Sequence, residues 1–472
     1  MKELKTDILV IGAGSGGLSV AAGAAQMGAK VVLLERDKMG GDCLNYGCVP
    51  SKTLIASAKR AHEIATAGDF GLTVSDMQVD YAAIKDRVAQ VIASIAPHDS
   101  QERFEGLGVT VIREGGRFVG QNVVEAGETR ITARRIVIAT GSHAAVPPIP
   151  GLEQTPYLTN ETLFDLREKP SHLIIIGGGP IGLEMAQAHA RLGCRVTVIE
   201  AARVLHKDDA EAVSLVLKHL RADGVEVLEH TGARKVGGEE GAIWVETESG
   251  ARIEGSHLLI AAGRRPNIDA LDLPAAKIKA TRTGIAVDDL LKTSNPKVYA
   301  IGDVAGGMQF THMAGYHAGV VIRSALLGLP AKAKTAHIPW CTYTAPELAH
   351  VGLSEPAART EYGGRLQIVV QPMADIDRAR ANGTTEGFVK VLVVGGKPVG
   401  VTVVGHDAGE IINFWAMVLA NGLKMSHITN MVSPYPTVSE INKRSAGTYF
   451  SPRLFDNKMV KIMVRAVQRF LP

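Results

Sequence analysis

A strand, a glycine turn, a helix and a second strand closed by an acid occur twice in this chain. Residues 7 to 35 read DILVIGAGSGGLSVAAGAAQMGAKVVLLE, and residues 172 to 200 read HLIIIGGGPIGLEMAQAHARLGCRVTVIE. The glycines fall at Gly12, Gly14 and Gly17 in the first copy and at Gly177, Gly179 and Gly182 in the second; the closing acids are Glu35 and Glu200. In both copies the acid stands 23 residues after the first glycine. Each position has a physical reason. The first glycine permits the turn, the second lets the backbone reach a pyrophosphate, and the third lets helix and strand approach closely. The helix N-terminus then faces the phosphates, and the acid accepts from a ribose hydroxyl. A lone glycine triplet is weak, but the flanking strands, helix and acid make this a dinucleotide-binding unit rather than an unrelated glycine turn. Two such units imply two different dinucleotides or a handover between them.

The 472 residues give room for about three domains. After the first unit come helical stretches at 54–66 and 81–101, then short strands at 109–119 and 129–139. The second unit leads to a helix at 209–222, a strand at 225–228, and a hairpin feeding a return strand. VYAIGDVAG, from Val298 to Gly306, is a buried strand opening into a helix. Beyond residue 331 the texture changes to strands and helices of an α+β kind. The expected fold is α/β, with two Rossmann-like dinucleotide-binding domains, one inserted in the other, plus a C-terminal α+β domain. The expected boundaries are 1–150 and 273–339 for the first dinucleotide domain, 151–272 for the second, and 340–472 for the last.

The net charge of +3, from 51 basic and 48 acidic residues without long runs, offers no broad footprint for nucleic acid. No stretch approaches about 18 uncharged apolar residues, so a membrane partner is not expected. The chain starts directly into an apolar strand without a signal peptide, and its four cysteines are too few for a disulfide framework. A cytoplasmic location is expected.

Cys43 and Cys48, in GGDCLNYGCVPSK, have four residues between them. On a regular helix such a pair is separated by about 7.5 Å along the axis and about 140° in rotation, whereas disulfide Cα atoms lie within about 7 Å. Closure requires a bent or incompletely helical segment, which Gly47 and Pro50 allow. Two independent buried thiols are the plainer alternative, and a metal site falls short of four ligands, so no resident metal is expected. Lys52 either faces back toward the pair or snorkels at the surface. Cys194 reads as a small buried hydrophobe, and Cys341 has no sequence partner.

VIGAGSGG, GGDCLNYGCVPSK, the ATGS from Ala139 to Ser142, IIIGGGPIGLE, the AAGRRPN from Ala261 to Asn267, VYAIGDVAG and the C-terminal part occur in one order along the chain. In this the sequence resembles the FAD-dependent pyridine nucleotide-disulfide oxidoreductases, the family of dihydrolipoamide dehydrogenase, glutathione reductase and mercuric reductase. The resemblance implies that Gly12, Gly14, Gly17, Glu35 and Gly41 hold the ADP half of FAD, with Thr140, Gly141 and Asp303 on the rest of it. It further implies that Gly177, Gly179, Gly182, Glu200, Gly263 and Arg264 serve NADH. Lys52 and Glu184 would form the ion pair beside the flavin, and Lys52 counts among the cofactor contacts. The implied reaction passes a hydride from NADH through flavin to a Cys43–Cys48 disulfide and on to a metal ion, a small disulfide or another oxidant. Cys48 would be the charge-transfer thiolate and Cys43 the interchange thiol, in a homodimer.

One segment departs from the commonest family pattern. SPYPTVSE, from Ser433 to Glu440, carries Tyr435 where disulfide-specific members carry a catalytic histidine, and keeps Glu440. An ordinary phenol with a pKa near 10 exchanges protons poorly at neutral pH. The arrangement resembles the mercuric reductase branch, although the chain has no cysteine after Cys341. The alternatives are dihydrolipoamide dehydrogenase and a non-disulfide flavoprotein such as a transhydrogenase or NADH oxidase. NADH is expected over NADPH, because Glu200 repels a 2′-phosphate; Arg203 is the one nearby cation that works against this.

Overall fold

The computed structural model describes residues 1–471. They form two compact units: Met1–Arg203 with Gly224–Lys334, and Val204–Asp223 with the chain from Thr335 onward.

The first unit holds both glycine turns. Its larger sheet centres on Lys2–Ile11, which pairs in parallel with Val31–Leu34 on one side and Thr129–Ile138 on the other. Ile8 faces Val31 and Ile11 faces Ile138 across these ladders. Thr110–Ile112 extends one edge, and Val298–Ala300 adds in parallel to Thr129–Ile138. Ile8, Leu9 and Val10 are all buried, as the middle of a parallel sheet covered on both faces requires. A second sheet runs Val225–Leu228, Arg195–Ile199, His172–Ile176, His257–Ile260, parallel throughout. The chain completes this second sheet before Val298–Ala300 returns to the first. One Rossmann-like domain is therefore inserted in the other.

Local differences from the sequence reading have local causes. The helix expected from residue 54 begins at Cys48, because Pro50 falls in its first turn, where a missing N–H is harmless. The strand expected over 109–119 divides into Thr110–Ile112 and Arg117–Gly120. Gly115 and Gly116 supply the break, and a side chain at Gly116 would lie 2.8 Å from the Leu34 side chain.

The second unit is built on an antiparallel sheet in the order Pro339–Thr342, Glu347–Gly352, Lys397–Gly405, Phe388–Val394, Leu366–Pro372. Trp415, on the helix Ala408–Ala420, is fully buried in its core. The helix Ala210–Ala222 also belongs here, and the Asp209 carboxylate caps it by accepting from the Glu211 and Ala212 amides. Lys390, in the middle of a strand, is 8% exposed and its Nζ lies 2.8 Å from Asp209, 3.0 Å from Glu211 and 3.6 Å from Glu355. Removing the cation would leave Asp209 buried beside other carboxylates. Lys390→Met is expected to lower the stability of this unit by about 3 kcal/mol, read as a shift in the urea midpoint at neutral pH.

Candidate active site

The two glycine turns have the same atomic construction. A Cβ at Gly17 would sit 1.9 Å from the Gly12 carbonyl oxygen, and one at Gly182 would sit 2.0 Å from that of Gly177. Gly12 and Gly177 have φ of +104° and +120°, and a side chain at either would strike the carbonyl of Ala139 or Ala261. The middle glycines are open instead: nothing lies within 4 Å of a Cβ at Gly179, and only the Gly41 Cα, at 4.0 Å, approaches one at Gly14. The helices Ser15–Gln26 and Pro180–Arg191 start immediately after them. Glu35 accepts from the Ala13 and Asp37 amides at 2.7 and 2.8 Å. Glu200 accepts from Gly178 and Ala202 at 2.7 and 2.9 Å. An open backbone at a helix N-terminus, with an acid fixed beside it, fits a dinucleotide pyrophosphate and ribose in both copies.

The cysteines lie at a break between two helices, Gly41–Asn45 and Cys48–Ala65. Asn160 holds this break by donating to the Tyr46 carbonyl at 3.2 Å and to Asp42 Oδ1 at 3.0 Å. Glycine suits position 47, since a Cβ would lie 2.8 Å from Asp42 Oδ2 and 3.1 Å from the Asp42 carbonyl oxygen. The break brings the two sulfurs into hydrogen-bond contact, but both cysteines are free thiols. The expected Cys43–Cys48 disulfide is thus corrected, and with it the relay of electrons through that disulfide.

What the geometry builds instead is an unequal thiol pair. The Cys43 thiol donates to Cys48, which raises the pKa of Cys43 and, together with the Thr311 hydroxyl 3.2 Å away and the nearby Lys52 charge, lowers that of Cys48 to about 6. Burial among surrounding atoms opposes the Cys48 shift without cancelling it, although the residue opens to solvent on one side. Lys52 Nζ lies 2.6 Å from Glu184 Oε2, and the Glu184 side chain is 5% exposed. A helix next to the first glycine turn is thereby joined to the helix that follows the second.

Arg264 joins three further groups. Its guanidinium donates to Ser142 Oγ at 2.7 Å and to the Ser142 carbonyl at 2.9 Å, and pairs with Asp42 Oδ1 at 3.1 Å. Ser142 Oγ donates to Asp303 Oδ2 at 2.5 Å. Burial holds the Asp303 carboxyl above the usual range, while Ser142 and Arg264 pull it down. Thr140 Oγ1 donates to the Asn267 carbonyl at 2.7 Å, and the Asn267 side chain donates back to the Thr140 carbonyl at 2.8 Å. Gly141 and Gly263 have φ of +68° and +120° and open space where a Cβ would stand. Asp42, Ser142, Asn160, Asn267 and Thr311 were not singled out as site residues. Asp42 adjoins Cys43, and Ser142 and Asn267 close the ATGS and AAGRRPN motifs, which are the signals that could have found them.

Tyr435 and Glu440 belong to the second unit. The Tyr435 hydroxyl donates to Asp377 at 3.1 Å, and that bond raises its pKa further above the ordinary phenol value. Glu440 Oε1 accepts from Arg444 at 3.1 Å, whereas its Oε2 is buried without a hydrogen-bond partner among the described residues.

Comparison with known proteins places this construction. The family model described as pyridine nucleotide-disulphide oxidoreductase matches residues 6–318, and that family's dimerisation domain matches residues 338–446. The chain belongs to this family. It is a FAD- and NAD(H)-dependent oxidoreductase, and it assembles as a homodimer. A mercuric reductase of Lysinibacillus sphaericus is 34% identical over 457 residues, covering 95% of this chain and 83% of that protein. A dihydrolipoyl dehydrogenase of Bacillus subtilis is 32% identical, covering 92% of this chain and 96% of that protein. Among solved structures, the Cu(II) complex of the HOCl-induced flavoprotein disulfide reductase RclA from Escherichia coli superposes with a TM-score of 0.83 at 30% identity. The superposition covers 93% of this chain and 99% of that one. Among the described residues no helix is long and apolar enough to cross a membrane.

A family member with a Cys48 pKa of about 6 carries about ten thiolates per thiol one pH unit above it. Iodoacetamide labelling of Cys48 should therefore rise with pH to a plateau with its midpoint near 6, and Lys52→Met should move that midpoint upward. A midpoint near that of an ordinary cysteine would show that the pair is not polarised.

Proposed function

We propose that the chain is an NADH-dependent flavoenzyme that reduces a thiophilic metal ion held by the reduced Cys43 and Cys48, with no protein disulfide in the electron path. The polarised pair of free thiols carries this reading. When bound, FAD would take two electrons from NADH and pass them on, both to one Hg²⁺ or one each to two Cu²⁺. Cys48, already a thiolate at neutral pH, is a soft first ligand; Cys43 becomes the second by releasing its proton as the ion binds. One proton leaves per ion captured. Two thiolates, without a group of three or more ligating side chains among the described residues, suit an ion that passes through rather than one that stays. The relatives named mercuric reductase, and the copper complex of RclA, support a metal acceptor. Free thiols suit the reducing cytoplasm, where we place the protein.

Within this proposal Gly12, Gly14, Gly17, Glu35 and Gly41 hold the ADP half of FAD, and Thr140, Gly141 and Asp303 meet the rest. Gly177, Gly179, Gly182, Glu200, Gly263 and Arg264 serve NADH. The first unit is divided as 1–150 with 273–339 for FAD and 151–272 for NADH, and residues 340–472 form the dimerisation domain. Lys52, fixed by Glu184, supplies positive charge beside the thiolate. Tyr435 and Glu440 are assigned to the redox site of the second subunit. The 32% identity to a dihydrolipoyl dehydrogenase supports a second reading, a dithiol substrate. Tyr435 weighs against it, since its raised pKa makes it a poor proton exchanger near neutrality.

Anaerobic assays with NADH separate these readings. Hg²⁺ or Cu²⁺ should be turned over by the wild type, and Cys43→Ser should lose at least about tenfold in metal turnover while NADH still bleaches the flavin. Denatured enzyme prepared without reductant should titrate as four thiols per chain, one for each cysteine. Oxidation of dihydrolipoamide with NAD⁺ in place of NADH on the order of 10² s⁻¹, with neither metal turned over, would replace the metal reading by the dithiol one. Glu200 is expected to favour NADH over NADPH in kcat/KM by about tenfold or more. Parallel steady-state assays check that ratio, and equal values would remove Glu200 from the nucleotide site.

A further inference from the structure

The helix Lys458–Phe470 stands apart from the rest of the second unit, with no buried residue along its length. Met459 is 72% exposed, Met463 59% and Phe470 79%. At about 100° per residue, Met459, Val460, Met463, Val467 and Phe470 share one side. Lys458, Lys461, Arg465 and Arg469 share the other, and no acid occurs between residues 458 and 471. Asn457 caps the helix by accepting from the Met459 amide at 2.9 Å, so it is a defined element with a defined start. The match to the family's dimerisation domain ends at residue 446, before this helix begins.

A 13-residue helix is marginal in water on its own, and its apolar side needs a cover. It is about 20 Å long, too short for the roughly 30 Å of a bilayer core. Lying in the interface is a different state, which requires an apolar face and a polar face rich in lysine and arginine rather than length. Four cations without an acid, on a chain whose net charge is only +3, give this helix a strong local preference for negative headgroups. We propose that Lys458–Phe470 docks the protein on anionic membrane surfaces, its apolar side in the headgroup layer and its cations against lipid phosphates. The electron donors and acceptors of the flavin site play no part in this assignment.

Co-sedimentation of the full-length holoenzyme with vesicles tests it. Vesicles rich in phosphatidylglycerol should retain at least about tenfold more protein than pure phosphatidylcholine vesicles, and added salt should release it. M463E/V467E and K461E/R465E should each lower retention about tenfold while the dimer mass by light scattering and the flavin content stay unchanged. Retention on neither vesicle, or equal retention on both, overturns the proposal. So does M463E/V467E turning the dimer into monomers, which would assign the apolar side to a second copy of the chain.

Discussion

Backbone against backbone, at a distance no side chain tolerates, is the constraint on which the first unit rests. Gly17 lies under the carbonyl of Gly12, and Gly182 under that of Gly177, so closely that a Cβ would come within about 2 Å of oxygen. That contact sets how near each helix lies to its strand, and hence where each helix N-terminus points. Glu35 and Glu200 then have only one place to go, and each takes a pair of backbone amides in the same pattern. The helix from Pro180 carries Glu184 to Lys52, so the second turn also fixes a charge beside the thiols of the first. Nucleotide binding and thiol chemistry are in this sense mechanically connected.

The pair of cysteines illustrates how a spacing differs from a state. Four intervening residues and a flanking glycine foretell a broken helix, and a broken helix is present. Whether the sulfurs are joined depends on their surroundings. Here Thr311 hydrogen-bonds one sulfur and Lys52 places a positive charge near it, and these favour a thiolate sharing a proton with its neighbour. Free, unequal thiols are nucleophiles and soft ligands; a closed disulfide is neither.

Much of the first unit was legible because its determinants are local. Strand hydrophobicity, glycine positions and the closing acids all fall within short windows, and the parallel central strands of both sheets follow from them. The helix Ala210–Ala222 was legible as a helix but not as part of the second unit, where Asp209 meets Lys390, because that pairing spans 181 residues of the sequence. Arg264 was read as a nucleotide ligand from its place in AAGRRPN; its contacts with Asp42 and Ser142 depend on how distant loops meet. Thr311 is invisible as a thiol partner for the same reason. The spacing of the terminal helix Lys458–Phe470 separates an apolar side from a cationic one, yet nothing in that spacing tells a buried face from a bare one.

Asp42 stands next to Cys43 in the chain, and its negative charge works against the Cys48 thiolate. Arg264 is held against that same carboxylate at 3.1 Å and against Ser142, the partner of Asp303. The guanidinium therefore sits as a counter-charge to the acid beside the thiols, while its other side steadies a second acid deeper in the fold. The carboxylate beside the thiol pair is thus held in place by an arginine remote in sequence, and the loop that carries that arginine becomes part of the thiols' surroundings without touching them.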